Sequence, residues 1–216
     1  MPPNRDSSHI QIAVPTRGQI QWQTVHRLNE IRDGAKGLPP VMFQPGNLSV
    51  ALTRNKIVRR FLDTDREILI MVDSDIVPPL HTLGVLTPVP DGYGIVGIPH
   101  PHQFPGTSHL VLSAYRLTSQ GLANMQEFSH GLNDVDAIAT GCVAIPRSVL
   151  EMLGPDPFRI AHNPTDTITS DDFLFCADVR AAGLKVGSWF DGQICDHIQL
   201  SNLAGVFAAG GFGHAM

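Results

Sequence analysis

The sequence lacks apolar runs long enough to span a membrane. The longest, Ile68–Val72, has five residues, whereas a helix needs about 20 to cross the hydrocarbon core of a bilayer. The polar residues 1–9 also contain no apolar segment of the kind found in secretory signal peptides. We therefore expect no membrane span and a cytoplasmic protein.

Cysteine and excess positive charge are also scarce. The three cysteines, Cys142, Cys176 and Cys195, are an odd number at wide spacings, which does not fit a disulfide framework and indicates buried thiols in a reducing compartment. The formal net charge is -5, but proteins that wrap nucleic acid regardless of sequence need a basic surface that neutralises phosphates. We therefore expect no bulk binding of nucleic acid.

The apolar content is sufficient for one packed core. Of the 216 residues, 43% are hydrophobic and 16% are charged, which is typical of a single globular domain. Neither a repeat nor a linker divides the chain. We expect a flexible N-terminus at 1–9, one domain at 10–198 and a flexible Gly-rich tail at 199–216.

Short apolar runs alternate with helical patterns over the first two thirds of the chain, as is typical of a mainly parallel sheet covered by helices. Strands are predicted at 10–15, 41–44, 68–72, 94–98, 110–117, 135–145 and 185–190. Helices are predicted at 20–32, 48–62, 147–153 and from about Ser170, capped by Thr169 or Ser170, to Gly183. The predicted fold class is α/β, with a mixed, mainly parallel central sheet flanked by helices.

Two acidic residues, Asp73 and Asp75, directly follow the predicted central strand at 68–72. Ligands of an open parallel sheet bind beyond the carboxyl ends of its strands, so these side chains lie where a ligand binds. If the strand continues through them, both carboxylates point the same way and are able to hold a divalent ion with its phosphates. The alternative is a strand-end turn in which the carboxylates accept local backbone hydrogen bonds.

The predicted helix at 48–62 has a basic face opposite its apolar residues. Its members are Arg54, Lys56, Arg59 and Arg60. We interpret most of this face as exposed to solvent, with Arg54 as the exception to test. A local basic groove that holds one phosphorylated ligand is the alternative.

Two further groups have ligand-type or acidic side chains. His100 and His102 are of a residue type that binds metals, but the prolines beside them favour an extended surface loop. Asp171 and Asp172 stand at the start of a predicted helix, where acidic residues also simply complement the positive helix end.

The segment at 68–79, which reads ILIMVDSDIVPP, closely resembles the Asp-x-Asp segment of GT-A fold glycosyltransferases. Other segments resemble the same family in the same order. They are 12–18, similar to the first strand and nucleotide-binding turn; 52–55, the second nucleotide-contacting segment; 139–147, the acceptor loop and following strand; 170–176, the acidic helix start; and 195–197, the late histidine.

This resemblance implies a single GT-A (Rossmann-like) domain with a nucleotide-sugar-binding half at 10–99 and an acceptor-binding half at 100–198. It implies an inverting, family 2 type enzyme that moves a sugar from a UDP- or GDP-linked donor to an acceptor hydroxyl. The implied donor contacts are Pro15, Thr16, Arg17, Arg54, Asn55, Asp73, Ser74 and Asp75. The implied acceptor contacts are Thr140, Gly141 and Cys142.

The resemblance also implies a metal site and a catalytic base. Asp75 and His197 would ligate the metal, and Mn2+ is favoured over Mg2+ because it accepts an imidazole beside carboxylate and phosphate oxygens. Asp172 would take the proton of the acceptor hydroxyl. Asp171 would contact donor or acceptor, and the adjacency of the two acids leaves open which one is the base.

Two other functions compete with this interpretation. A nucleotidyltransferase that activates a sugar 1-phosphate uses a Gly-rich phosphate loop followed by Arg or Lys, and residues 15–18 match that pattern poorly. A non-catalytic nucleotide-sugar-binding module is the second, but an intact set of Asp73, Asp75, Asp172 and His197 disfavours it. The acceptor is open among a small molecule, a glycan, a peptide and a modified nucleic-acid base.

Overall fold

The structure is a computed structural model that describes residues 6–46, 49–103, 110–162 and 168–198. Its helices are α1 (Trp22–Asp33), α2 (Val50–Leu62), α3 (Thr82–Leu86), α4 (Arg147–Leu153) and α5 (Asp171–Ala181). Among them, none combines the length and apolar character that crossing a membrane requires. The tail expected at 199–216 lies outside the described residues.

The strands are mostly short. They are β1 (Ile10–Thr16), β2 (Met42–Pro45), β3 (Ile68–Val72), β4 (Ile76–Val77), β5 (Tyr93–Gly97), β6 (Pro101–Gln103), β7 (Leu110–Leu112), β8 (Ala114–Thr118), β9 (Gly121–Asn124), β10 (Gly131–Val135), β11 (Ala137–Ile138), β12 (Cys142–Pro146), β13 (Ala161–His162), β14 (Ile168–Thr169), β15 (Lys185–Phe190) and β16 (Asp196–His197).

A mixed sheet forms the centre of the molecule. Within the described ranges its order is β10-β15-β5-β12-β3-β1-β2. Strands β2, β1, β3, β5 and β15 run in one direction, and β12 and β10 run in the other. The predicted α/β class with a mixed, mainly parallel sheet is confirmed.

Alternate residues of the central strands feed two hydrophobic cores, one on each face of the sheet. Leu69 and Met71 of β3 pack in the core that α2, α4 and α5 cover. Ile70 and Val72 of the same strand pack in the core that α1 covers. Because both faces of β3 are buried, its sequence is a continuous apolar run rather than an alternating one.

The carboxyl ends of the parallel strands and the start of antiparallel β12 meet at one edge of the sheet, which we call the carboxyl edge. The register pairs Cys142, the first residue of β12, with Val72, the last residue of β3. The amide of Asp73 donates to the carbonyl of Gly141 at 2.9 Å just beyond that pair. Segments far apart in the chain are therefore neighbours at this edge.

Two of the predicted strands are divided in the structure. The run at 110–117 breaks at Ser113, because β7 pairs with β6 while β8 pairs with β9 and β11. The run at 135–145 contributes to β10, β11 and β12, which pair with different strands. Both predictions of a single strand were wrong, because a continuous apolar pattern does not reveal where the pairing partner changes.

Other expectations were partly corrected. His100 is buried and 101–103 forms β6, so this segment is not an exposed loop. Ser170 is the N-cap residue of α5, but its side chain makes no capping hydrogen bond there. The three cysteines are buried thiols, as expected.

Arg147 connects the beginning of α4 to the end of α2. Its guanidinium donates to the carbonyls of Phe61, Leu62, Thr64 and Arg66, and it lies 5.1 Å from the centre of the Phe61 ring. The last carbonyls of a helix have no partner within the helix, and this arginine supplies a donor to the carbonyl of Leu62, the last residue of α2.

Arg147→Met removes these hydrogen bonds while keeping a long apolar side chain. We expect the free energy of unfolding, measured by urea titration, to fall by about 2 kcal/mol, because hydrogen bonds from a charged donor contribute about 1.5–3 kcal/mol. Arg32→Met is the control, since the Arg32 side chain is only partly buried and forms an ion pair only with its neighbour Asp33 among the described residues. Equal losses in the two variants would contradict the role of Arg147.

Candidate active site

A cavity of about 470 Å³ opens at the carboxyl edge. The turn after β1, the first turns of α2, the segment after β3 and the start of α5 contribute to its walls. The lining includes the predicted nucleotide contacts Pro15, Thr16, Arg17, Arg54, Asp73, Ser74 and Asp75, together with Asp171. Most of the residues predicted to bind the nucleotide sugar are thus brought together around one space.

The turn after β1 is shaped by the Thr16 hydroxyl. This group donates to the carbonyl of Gln19 at 2.6 Å and accepts from the amide of Gly18 at 3.1 Å. Gly18 has a φ of +100°, which side-chain-bearing residues rarely adopt. Arg17 is exposed at this turn. The turn therefore presents a cation to the cavity while its own hydroxyl serves the backbone.

Arg54 joins three carboxylates inside the wall of the cavity. Its side chain is buried, and Nη2 donates to both oxygens of Asp73 at 3.0 and 3.1 Å. Nη1 donates to Oδ2 of Asp171 and to Oδ1 of Asp172, each at 2.7 Å. One guanidinium from α2 thereby holds acidic residues that follow β3 and begin α5.

Burial and charge pairing oppose each other in this cluster. Burial is the largest influence on Asp73 and raises its pKa to about 6. Pairing with Arg54 opposes this rise, and the charge of the neighbouring Asp172 adds to it. Burial alone would lower the pKa of Arg54, but the three carboxylates outweigh it and raise that pKa. The guanidinium therefore stays charged, and Asp73 takes up a proton in mild acid.

The two acids of the Asp73-Ser74-Asp75 step face different partners. Strand β3 ends at Val72, and the amide of Ile76 donates to the carbonyl of Asp73 at 3.1 Å, which closes a turn. The expectation that both carboxylates point the same way along a continued strand is therefore not met. Asp73 contacts Arg54, whereas Oδ2 of Asp75 lies 3.4 Å from Nε2 of His197.

His197 is oriented through its other ring nitrogen. Nδ1 lies 3.2 Å from the carbonyl of Pro101, which leaves Nε2 directed at Asp75. Burial alone would lower the pKa of His197, but the hydrogen bond and charge of Asp75 outweigh it and raise that pKa. Burial alone would raise the pKa of Asp75, but the hydrogen bond and charge of His197 outweigh it and lower that pKa. The two side chains form a stabilised acid–imidazole pair beside the cavity.

This pair offers two side chains of the types that bind divalent metals. Metal-binding histidines usually donate their second ring N–H to a backbone carbonyl or a carboxylate, as Nδ1 of His197 is placed to do with Pro101. No group of three or more His, Cys, Asp or Glu side chains able to hold an ion was found in the part of the chain that the structure describes. An ion bound here would need further oxygen ligands from a bound molecule or water.

The predicted acceptor contacts have three different surroundings. Thr140 is buried, and its hydroxyl donates to Oδ1 of Asp172 at 2.7 Å. A methyl group on Gly141 would lie 2.6 Å from the His100 ring, so only glycine fits without displacing that ring. Cys142 is buried in the core with Cys195, because it is the first residue of a central strand. Its role as an acceptor contact stays a prediction.

Asn55 is the predicted nucleotide contact that the structure places elsewhere. Its side-chain amide donates to the carbonyl of Phe158 at 2.8 Å and accepts from the amide of Phe158 at 2.9 Å. It is not among the described residues that line the cavity. Asn55 holds the chain after α4 against α2.

Sequence reasoning missed two features of this edge. Arg54 was recognised as an exception on its helix but not as the centre of the carboxylate cluster. Its spacing was the available signal, since it lies four residues after Val50 and four before Val58 and therefore on the face of α2 that packs inward. His100 was expected in a surface loop, yet its ring contacts His197 with centroids 5.1 Å apart, and its Nδ1 lies 3.2 Å from the Ser113 hydroxyl. Burial, with His197 and His102 nearby, lowers the pKa of His100 to about 3.

Comparison with known proteins yields structural likeness only. No protein-family model and no curated protein sequence matches the chain. Among solved structures, A197 from STIV superposes with a TM-score of 0.62 and 17% sequence identity, over 88% of this chain and 85% of that one. The chain shares the fold of A197 from STIV.

Two further solved structures are similar at lower TM-scores. A glycosyltransferase involved in the glycosylation of the major capsid of PBCV-1 superposes with a TM-score of 0.38 and 12% identity, over 66% of this chain and 62% of that one. CMP:2-keto-3-deoxy-manno-octonic acid synthetase complexed with CTP superposes with a TM-score of 0.46 and 10% identity, over 93% of this chain and 99% of that one.

Arg54→Met leaves the three carboxylates without their shared cation. We expect the free energy of unfolding to fall by about 3–5 kcal/mol near neutral pH, the usual cost of removing one partner of a buried ion pair. Without Arg54 the pKa of Asp73 rises further above its unfolded value, so the folded variant binds more protons than the unfolded chain and loses stability as pH rises.

Urea titrations at about pH 4.5 and about pH 7.5 test this, and the deficit should be larger at the higher pH. Arg60→Met on the exposed face of the same helix is the matched control, since Arg60 bonds Gln44 at the surface. A deficit that stays constant with pH would contradict the assignment of Arg54 as the counter-ion.

Proposed function

We propose that the chain is a metal-dependent, inverting glycosyltransferase that moves a sugar from a UDP- or GDP-linked donor to an acceptor hydroxyl. One observation carries the proposal: Arg54 gathers Asp73, Asp171 and Asp172 at the carboxyl edge, beside a cavity that the turn after β1 also lines. Its volume of about 470 Å³ suits a ligand of small-molecule size, since such sites measure roughly 300–1,000 Å³.

In this proposal the nucleotide occupies the cavity. Pro15, Thr16 and Arg17 edge the base, and Asp73, which also lines the cavity, helps to hold the nucleoside. Arg17 is exposed at the cavity mouth and supplies positive charge for the diphosphate. Ser74 and Asp75 continue the wall toward His197.

Asp75 and Nε2 of His197 would hold the divalent ion, with diphosphate oxygens as further ligands. A carboxylate beside an imidazole favours Mn2+ over Mg2+, which prefers oxygen ligands. When bound, the ion supplies Lewis-acid stabilisation of the negative charge that develops on the leaving diphosphate. The chain contributes the orientation of both ligands, through the Pro101 carbonyl on His197 and the turn that follows β3.

Asp172 is the proposed general base. Asp171 lines the cavity, so it is the acid on the donor side, whereas Asp172 contacts Thr140 in the segment before β12. A carboxylate there accepts the proton of the acceptor hydroxyl as the acceptor oxygen attacks the anomeric carbon. Attack from the side opposite the diphosphate inverts the configuration of that carbon.

Binding of UDP or GDP should depend on Mn2+ and on the acid–imidazole pair. We expect calorimetry to detect binding of the nucleoside diphosphate in the presence of Mn2+. In Asp75→Asn the affinity should fall at least about tenfold, because loss of a metal ligand weakens metal binding strongly. Asp191→Asn is the matched control, because Asp191 pairs with His81 at 2.9 Å in a similar acid–imidazole contact away from the cavity lining. If neither UDP nor GDP binds, with or without Mn2+, the proposal is contradicted.

Asp172→Asn separates transfer from binding. We expect turnover, measured as release of nucleoside diphosphate from a panel of donors, to fall by about 10²- to 10⁴-fold, because general base catalysis contributes that much. Donor affinity should be retained. Asp178→Asn on the same helix is the control, since Asp178 pairs with Arg159 at the surface. Consumption of a nucleoside triphosphate with a sugar 1-phosphate would instead identify a nucleotidyltransferase.

A further inference from the structure

Thr140 is a buried hydroxyl residue in contact with the proposed base. It is 0% exposed, and Oγ1 donates to Oδ1 of Asp172 at 2.7 Å. A threonine hydroxyl has a single proton to donate. That proton is committed to Asp172, so the side chain is not available as a donor to an acceptor molecule.

The same oxygen of Asp172 accepts a second hydrogen bond. Nη1 of Arg54 also lies 2.7 Å from Oδ1. Within the described part of the chain, the hydrogen bonds to this carboxylate all end on Oδ1. Two donors from different elements therefore fix one oxygen and restrict rotation of the carboxylate, while Oδ2 keeps its capacity to accept a proton.

The segment that carries Thr140 is itself held on both sides. The amide of Ala139 donates to the carbonyl of Ser113 at 3.0 Å, and the carbonyl of Gly141 accepts from the amide of Asp73 at 2.9 Å. The close approach of His100 to Gly141 fills the space behind the segment. Thr140 is thus a rigid support, which is the condition for positioning a reactive group to a fraction of an ångström.

We propose that Thr140 is a positioning residue that acts with Arg54 to hold Oδ1 of Asp172, so that Oδ2 accepts the proton of the acceptor. The proposal rests on the transferase function proposed above. In the step, the acceptor O–H proton moves to Oδ2 and the acceptor oxygen bonds to the anomeric carbon. The bond from that carbon to the diphosphate oxygen breaks, and its electron pair leaves with the nucleoside diphosphate.

The kinetic test compares isosteric substitutions. Thr140→Val removes the hydroxyl and keeps the shape, Thr140→Ser restores the hydroxyl, and Thr24→Val makes the same change at a buried threonine whose Oγ1 has no partner in the described structure. Hydrolysis of UDP-glucose and GDP-mannose with Mn2+ is the assay, because water as the acceptor uses the same base.

We expect Thr140→Val to lower kcat by about 10- to 100-fold with an unchanged donor KM, since one hydrogen bond to a charged group is lost. Thr140→Ser should recover kcat to within about threefold of the original protein, and Thr24→Val should stay within about twofold. An unchanged kcat in Thr140→Val, or a Thr140→Ser variant as slow as Thr140→Val, would overturn the proposal.

A second measurement needs no turnover. Thr140→Val is combined with Asp172→Ala, and the stabilities of the single and double variants are compared in urea. If the hydroxyl acts on Asp172, the two losses do not add, because the valine change costs little once the carboxylate is gone. Additive losses would overturn the Thr140 proposal alone, whereas absence of hydrolysis by the unaltered protein with every donor would count against the transferase function.

Discussion

A single buried guanidinium holds three acidic residues together at the carboxyl edge. Arg54 is 3% exposed and pairs with Asp73, Asp171 and Asp172. Removing charged groups from water costs several kcal/mol, which is offset only where the partners are close and well oriented. Three carboxylates meet that condition for Arg54, and without it they would repel one another. The relative positions of α2, β3 and α5 at the carboxyl edge therefore depend on this residue.

The insertion of β12 between β3 and β5 supplies the other half of the site. Because β12 runs against its neighbours, the residues before it arrive at the edge where β3 ends. Thr140 thereby reaches Asp172, and Gly141 lies against both the Asp73 backbone and the His100 ring. An all-parallel sheet would place the residues before a strand at the opposite edge. The mixed topology is what joins the base to its support.

The sequence predicted the location of the acidic residues better than their orientation. A carboxylate directly after a buried apolar strand lies at the ligand-binding edge of an α/β sheet, and Asp73 does. The turn that follows Val72 then directs Asp73 to Arg54 and Asp75 to His197. Strand periodicity describes side-chain direction only as long as the strand continues, so the divergence of the two acids had no signal in the pattern.

Local patterns alone determined β3, α4 and β15, whose bounds match the predicted 68–72, 147–153 and 185–190. A continuous apolar run, or a helix that ends at a glycine, is specified by residues that are close together in the sequence. The tertiary structure decided that Arg54 is buried among acids, that Cys142 belongs to the core, and that Thr140 bonds Asp172. These outcomes depend on which strands pair and which helix covers them. A short stretch of sequence does not specify such long-range contacts.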